Sequence, residues 1–139
     1  MLNRFLTITI LFISLGLIIS CGNENGNSTA LPEGPIESQV QFLVDQDRYP
    51  EALDLLREED SSDRRIMIMV RDTHLLYANW LMHAAESIHM TERMPMALRH
   101  FRRVLEIDPE NQIALASVNQ IESIYQQMNR EIPQGVAQQ

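Results

Sequence analysis

Residues 92 to 111 read Glu92-Arg93-Met94-Pro95-Met96-Ala97-Leu98-Arg99-His100-Phe101-Arg102-Arg103-Val104-Leu105-Glu106-Ile107-Asp108-Pro109-Glu110-Asn111. Ala97, Phe101, Val104 and Leu105 recur at steps of three and four, which places them on one stripe of an α-helix. Pro95 and Pro109 stand at either end, and proline suits a first helical position because the amide it lacks has no partner there. The spacing predicts a helix from about Pro95 to Glu106. A further helix begins at Pro109 behind an Asp108 cap and runs to about Arg130 on Leu115, Val118, Ile121, Tyr125 and Met128.

The same grammar extends upstream. Pro35 opens a helix from about Ile36 to Asp45 with Ile36, Val40 and Leu43 on one face. Pro50 opens another to about Glu59, with Ala52, Leu55 and Leu56 inward. The short link Gln46 to Tyr49 makes these two antiparallel neighbours. After the capping cluster Ser61-Ser62-Asp63, residues 64 to 89 carry Ile66, Val70, Tyr77, Leu81, Ala84 and Ile88 at helical spacing, as one helix or as two broken near Arg71-Asp72-Thr73. Within it Ile66-Met67-Ile68-Met69-Val70 is apolar on every side. Hydrophobic content of 45% with 5 glycines, 6 prolines and 6% aromatics suits a helical globule. The fold class is therefore all-α, about five helices arranged as antiparallel αα-hairpins.

A repeat underlies this pattern. Asp47-Arg48-Tyr49-Pro50-Glu51-Ala52-Leu53 and Glu92-Arg93-Met94-Pro95-Met96-Ala97-Leu98 align in register. The second copy, continued through Phe101, Val104 and Pro109, resembles the second half of a tetratricopeptide repeat. The resemblance covers about residues 33 to 125. It implies a stack in which Ala52, Leu81, Ala97, Phe101 and Pro109 hold packing positions, with Ala85 and Ile88 beside Leu81. Leu115 and Val118 would begin a truncated closing repeat. It also implies a concave groove showing Asn79, Met82, Glu86, His89, Gln120 and Ser123 to a peptide or partner helix. Val104 stands where the family has a small residue, Trp80 is one place off the expected aromatic, and the copies lie 45 residues apart rather than 34. Glu37, Met82 and Ala116 occupy the position of the family's carboxylate clamp, so an acidic carboxy-terminal peptide is not the expected ligand.

The amino terminus carries an address. Arg4 precedes an apolar run from Phe5 to Ile19, about 24 Å long to Ser20 as a helix and short for a bilayer core of about 30 Å. This has the layout of an export signal. Ile18-Ile19-Ser20-Cys21 follows, and it resembles the lipobox of bacterial lipoproteins. The small Ser20 would sit beside the scissile bond, and Cys21, the only cysteine, would form the thioether to diacylglycerol. The resemblance implies cleavage after residue 20, lipidation at Cys21, and an envelope-facing protein held on a membrane by acyl chains. With Gly22 rather than aspartate after the cysteine, it implies the outer membrane, facing the periplasm, in a two-membrane host. Residues 21 to 34 have linker composition and residues 131 to 139, with Pro133 and Gly135, read as a flexible tail. The helical domain occupies 35 to 130.

Eleven arginines, no lysine and 19 carboxylates give a net charge of −8, which repels phosphate backbones and argues against nucleic acid. The cluster Arg99, His100, Arg102 and Arg103 lies late in its helix, where cations complement the dipole, and Arg102 is placed to pair with Glu106. His74 and His100 have no acid or nucleophile at informative spacing, and no serine lies in a strained turn or beside a glycine-rich loop. No catalytic residue, cofactor or metal is expected. The leading expectation is a membrane-anchored adaptor or scaffold that binds an envelope protein or peptide. The alternative is a ligand- or metal-binding envelope lipoprotein with a helical-bundle domain, using the three-residue rhythm of His83, Glu86 and His89.

Overall fold

The computed structural model describes residues 30–134. The export segment, Cys21, most of the linker and residues 135–139 lie outside the described residues. Among the described residues all regular structure is helical: α1 (Ile36–Val44), α2 (Tyr49–Arg57), α3 (Arg64–His83), α4 (Met90–Ile107) and α5 (Gln112–Gln127). Each helix packs on its neighbour in sequence. None is long and apolar enough to cross a membrane.

Pro35 is the extended residue before α1, and Pro50 is the second residue of α2, whose first residue Tyr49 is buried with Ala52 and Leu56. The link between them closes through Asp47 at φ 57°, a left-handed conformation that aspartate tolerates better than most residues. The Asp63 carboxylate accepts the Arg65 amide at 2.8 Å and starts α3.

Helix α3 runs unbroken through Arg71-Asp72-Thr73 and serves two cores. Its first half contributes Ile66 to a cluster with Val40, Leu43, Ala52 and Leu56. Its second half contributes Tyr77, Ala78, Leu81 and Met82 to a larger cluster with Ala97, Leu98, Phe101, Val104, Ala114 and Ile121. Twenty residues make α3 about 30 Å long, enough to carry both.

Four boundaries differ from the sequence reading by three residues or more: α5 ends at Gln127 rather than Arg130, and the other three each have a local reason. Helix α3 stops at His83 rather than His89, because the Ala84 and Ala85 amides both turn back to the Trp80 carbonyl. Ala85, though no longer helical, stays buried in the larger core, and Ile88 packs against it. The Arg93 guanidinium reaches the Leu81 and Met82 carbonyls at 3.2 and 3.3 Å, placing a cation at that helix end. Helix α4 starts at Met90, capped by the His89 ring, so Pro95 lies inside it rather than at its start. Proline there has no N–H for the Thr91 carbonyl. Helix α5 starts at Gln112: Asn111, not Asp108, is the cap and accepts the Ala114 amide at 3.1 Å, while Asp108 accepts from the Asn111 amide group at 3.2 Å. Pro109 is exposed in the turn before α5.

Beyond α5 the chain reverses through Asn129 at φ 50°, and the Arg130 amide returns to the Tyr125 carbonyl. Ile132 then packs on the larger core, and the Pro133 carbonyl accepts from Arg102 at 2.8 Å. Arg102 also pairs with Glu122 at 2.9 Å. The sequence expectation of an Arg102 pair with Glu106 is corrected: Glu106 takes Arg103 instead, because Arg102 faces α5.

Candidate interaction surface

The six residues expected to share a groove do not share a helix face. Asn79 is on α3 with its amide returned to the Leu75 carbonyl at 2.8 Å. Met82, 8% exposed, is a core residue rather than a groove residue. Glu86 is exposed in the link after α3, and His89 is occupied as the α4 cap, with Nδ1 2.8 Å from the Thr91 hydroxyl. Gln120 and Ser123 lie together on α5. The helical rhythm of His83, Glu86 and His89 is likewise broken at the end of α3. No group of three or more His, Cys, Asp or Glu is placed to hold a metal ion among the described residues.

The packing positions fare differently. Ala52, Leu81, Ala97 and Phe101 are each 0% exposed, whereas Pro109 lies outside the core and lines a cleft of about 560 Å³. The cleft runs between the start of α3 and the turn joining α4 to α5. Met67, Ile68, Ile107 and Pro109 form its apolar lining, and Arg64, Arg71, Asp108 and Glu110 complete it. Met67 and Ile68 are 41% and 39% exposed. The all-round apolar stretch 66–70 thus divides: Ile66 packs with Met69 and Val70 on the α1 and α2 side, and the other two residues open into the cleft. Arg71 bridges the cleft wall, 2.7 Å from Asp72 and 3.8 Å from Asp108. Exposed Arg64 leaves a cationic corner beside the apolar lining. Such a surface suits a short apolar segment with an adjacent carboxylate. Its signal in the sequence was the absence of a polar side in 66–70.

A second constellation was not legible in the sequence. His74 on α3 and His100 on α4 meet with their Nδ1 atoms 2.8 Å apart, and the Tyr77 ring packs on His100 at 4.4 Å between centroids. One ring must donate its Nδ1 proton and the other accept it, so the pair holds together only while at least one imidazole is neutral. Burial, with a smaller push from Arg103 and Arg57 against the pull of Glu106, lowers His74 to about 4. Burial, then the His74 ring and Arg99, lowers His100 to about 3. Tyr77 also stacks on Tyr49 at 5.3 Å, and Trp80 leans on both. Burial and a hydrogen bond to Asp47 push the Tyr49 hydroxyl up to about 12. Among the described residues the hydrogen bond of each ring is to the other ring. The pair acts as a neutral clasp between helices.

Comparison with known protein families, with curated proteins and with solved structures finds no match to this chain.

Proposed function

We propose that this protein is a lipid-anchored, non-catalytic adaptor. Cys21 holds it on the envelope face of a membrane, the outer one in a two-membrane host. Its helices, arranged as tetratricopeptide-like αα-hairpins, present the α3 cleft to another envelope protein. The observation that carries the reading is the exposure of Met67 and Ile68 beside Ile107 and Pro109, an apolar lining left open between the charged Arg64, Arg71, Asp108 and Glu110 of the same cleft. The lipobox resemblance and the buried Ala52, Ala97 and Phe101 of the two repeat copies support the other parts. The partner is expected to offer an apolar segment next to a carboxylate for Arg64, and neither nucleic acid nor a cofactor is involved.

Two measurements test this. Labelled palmitate should enter the full chain and be absent from a Cys21→Ala variant; label retained in the variant would overturn the anchor. Crosslinking the intact protein in its own membranes should capture an envelope protein that is lost from a Met67→Glu, Ile68→Glu variant. An unchanged capture pattern would remove the cleft from the account.

A further inference from the structure

His74 on α3 and His100 on α4 meet end to end. Their Nδ1 atoms are 2.8 Å apart and their ring centres 5.1 Å apart. The difference is taken up by two ring radii of about 1.1 Å each, the radius of a five-membered ring with bonds of about 1.33 Å. Both centres and both nitrogens therefore lie on one line, and each Nδ1 aims straight at the other. The ring planes are tilted by 30°. The Tyr77 ring lies on His100 at 4.4 Å and is itself stacked on Tyr49 at 5.3 Å, which holds the plane of His100 in place. Both histidines are half-buried, so the pair keeps contact with solvent.

We propose that this pair is a two-coordinate site for a soft monovalent cation, Cu(I), held between the two Nδ1 atoms. The arrangement selects the ion. Two lone pairs facing along one line offer linear coordination, which a singly charged ion with a filled d shell accepts and which Zn(II), Ca(II) or Mg(II), needing four or more ligands, do not. Among the described residues no third His, Cys, Asp or Glu joins the two rings. The charged groups facing the pair are Arg57 at the end of α2 and Arg99, Arg103 and Glu106 on α4. This net positive setting opposes a divalent ion about twice as strongly as a monovalent one. Asp54 pairs with Arg57 and Glu106 with Arg103, which weakens that opposition. With metal–nitrogen bonds of about 2 Å the two nitrogens stand about 4 Å apart. The required opening of about 1.2 Å is supplied by small turns of both side chains within their rotamer wells. The ring that donates from Nδ1 passes that proton through solvent to its own Nε2, so the cation replaces a hydrogen bond and no proton is released. Burial keeps the rings neutral down to about 4 and about 3, so protons do not compete for the lone pairs near neutrality. The inference goes beyond the adaptor reading and does not rest on it: neither the α3 cleft nor Cys21 enters the argument.

The test uses the full chain carrying Cys21→Ala in a mild non-ionic detergent, which removes the thiol and makes the result independent of the anchor. Cu(I), delivered anaerobically against a competing chelator, should bind at one equivalent. X-ray absorption of that complex should show two nitrogen neighbours at about 2 Å and no third neighbour. His74→Leu with His100→Leu should weaken binding by about a hundredfold or more. His83→Ala with His89→Ser alters two exposed histidines, keeps a capping side chain on α4, and should leave binding unchanged. From about pH 7.5 to about pH 6 the affinity should change by less than about twofold, against about tenfold for two histidines titrating near the ordinary value. Sulfur neighbours in the absorption spectrum, equal binding by the double leucine variant, loss of binding in the His83 and His89 variant, a tenfold fall at pH 6, displacement by equimolar Zn(II), or no binding at all would each overturn the proposal. The absorption measurement needs no variant, so it decides the matter even where the double leucine variant fails to fold.

Discussion

Replacing both members of the histidine clasp, His74→Leu with His100→Leu, should remove most of this protein's loss of stability between pH 7 and pH 5. In the unfolded chain each ring takes up a proton near the ordinary value of 6.5, whereas in the folded chain the rings resist to about 4 and about 3. Between those limits the unfolded state binds more protons, so stability falls as pH falls and is fully restored above the unfolded value. Each ring costs about 1.4 kcal/mol per pH unit in that window. From pH 6.5 to pH 5 the two together cost about 4 kcal/mol, or about 3 if the pair accepts one proton while keeping its hydrogen bond. Lowered carboxylates such as exposed Asp60 and half-buried Asp63 lose their contribution only at lower pH. The assay is urea unfolding of the full chain in mild detergent, followed by far-ultraviolet circular dichroism. At pH 7 the double variant should lie within about 1 kcal/mol of the parent, since apolar replacement of both partners leaves no orphaned donor. At pH 5 the parent should have lost about 3 to 4 kcal/mol and the variant under about 1. Equal losses in the two proteins would refute the reasoning.

Phe101 is 0% exposed at the centre of the larger core, so Phe101→Ala should cost about 3 to 5 kcal/mol in the same urea assay. Ile113→Ala, 56% exposed on α5, should stay within about 0.5 kcal/mol. Arg102→Ala removes both the Glu122 pair and the hydrogen bond to the Pro133 carbonyl. It should cost about 1 kcal/mol and speed amide exchange at residues 131, 132 and 134 while leaving the centre of α5 protected.

Much of the helical layout was legible because helix periodicity is a local property, written in steps of three and four. All five expected helices are present, with ends displaced by up to six residues, and Val40, Leu43, Ala52, Leu56, Ala97 and Phe101 face inward as the stripe requires. Boundaries were less legible where no glycine or proline marks them: nothing in Ala84-Ala85-Glu86-Ser87-Ile88 announces the stop at His83, which rests on a carbonyl shared by two amides. Pro95 misled for the converse reason, since proline marks a helix start only when its missing amide falls in the first turn, and here α4 begins five residues earlier.

What the chain alone determined was which stretches coil and which stripe of each turns inward, together with the export-like segment and its cysteine as features of the letters themselves. What only the tertiary structure decided was which polar and apolar sides meet. His74 found His100 across 26 residues of chain, Arg102 found Glu122 on α5, Met82 entered the core, and Met67 and Ile68 were left facing a cleft. Those outcomes depend on where two helices cross and how each is rotated about its axis, and that is set by the sum of all core contacts rather than by any residue's neighbours in sequence.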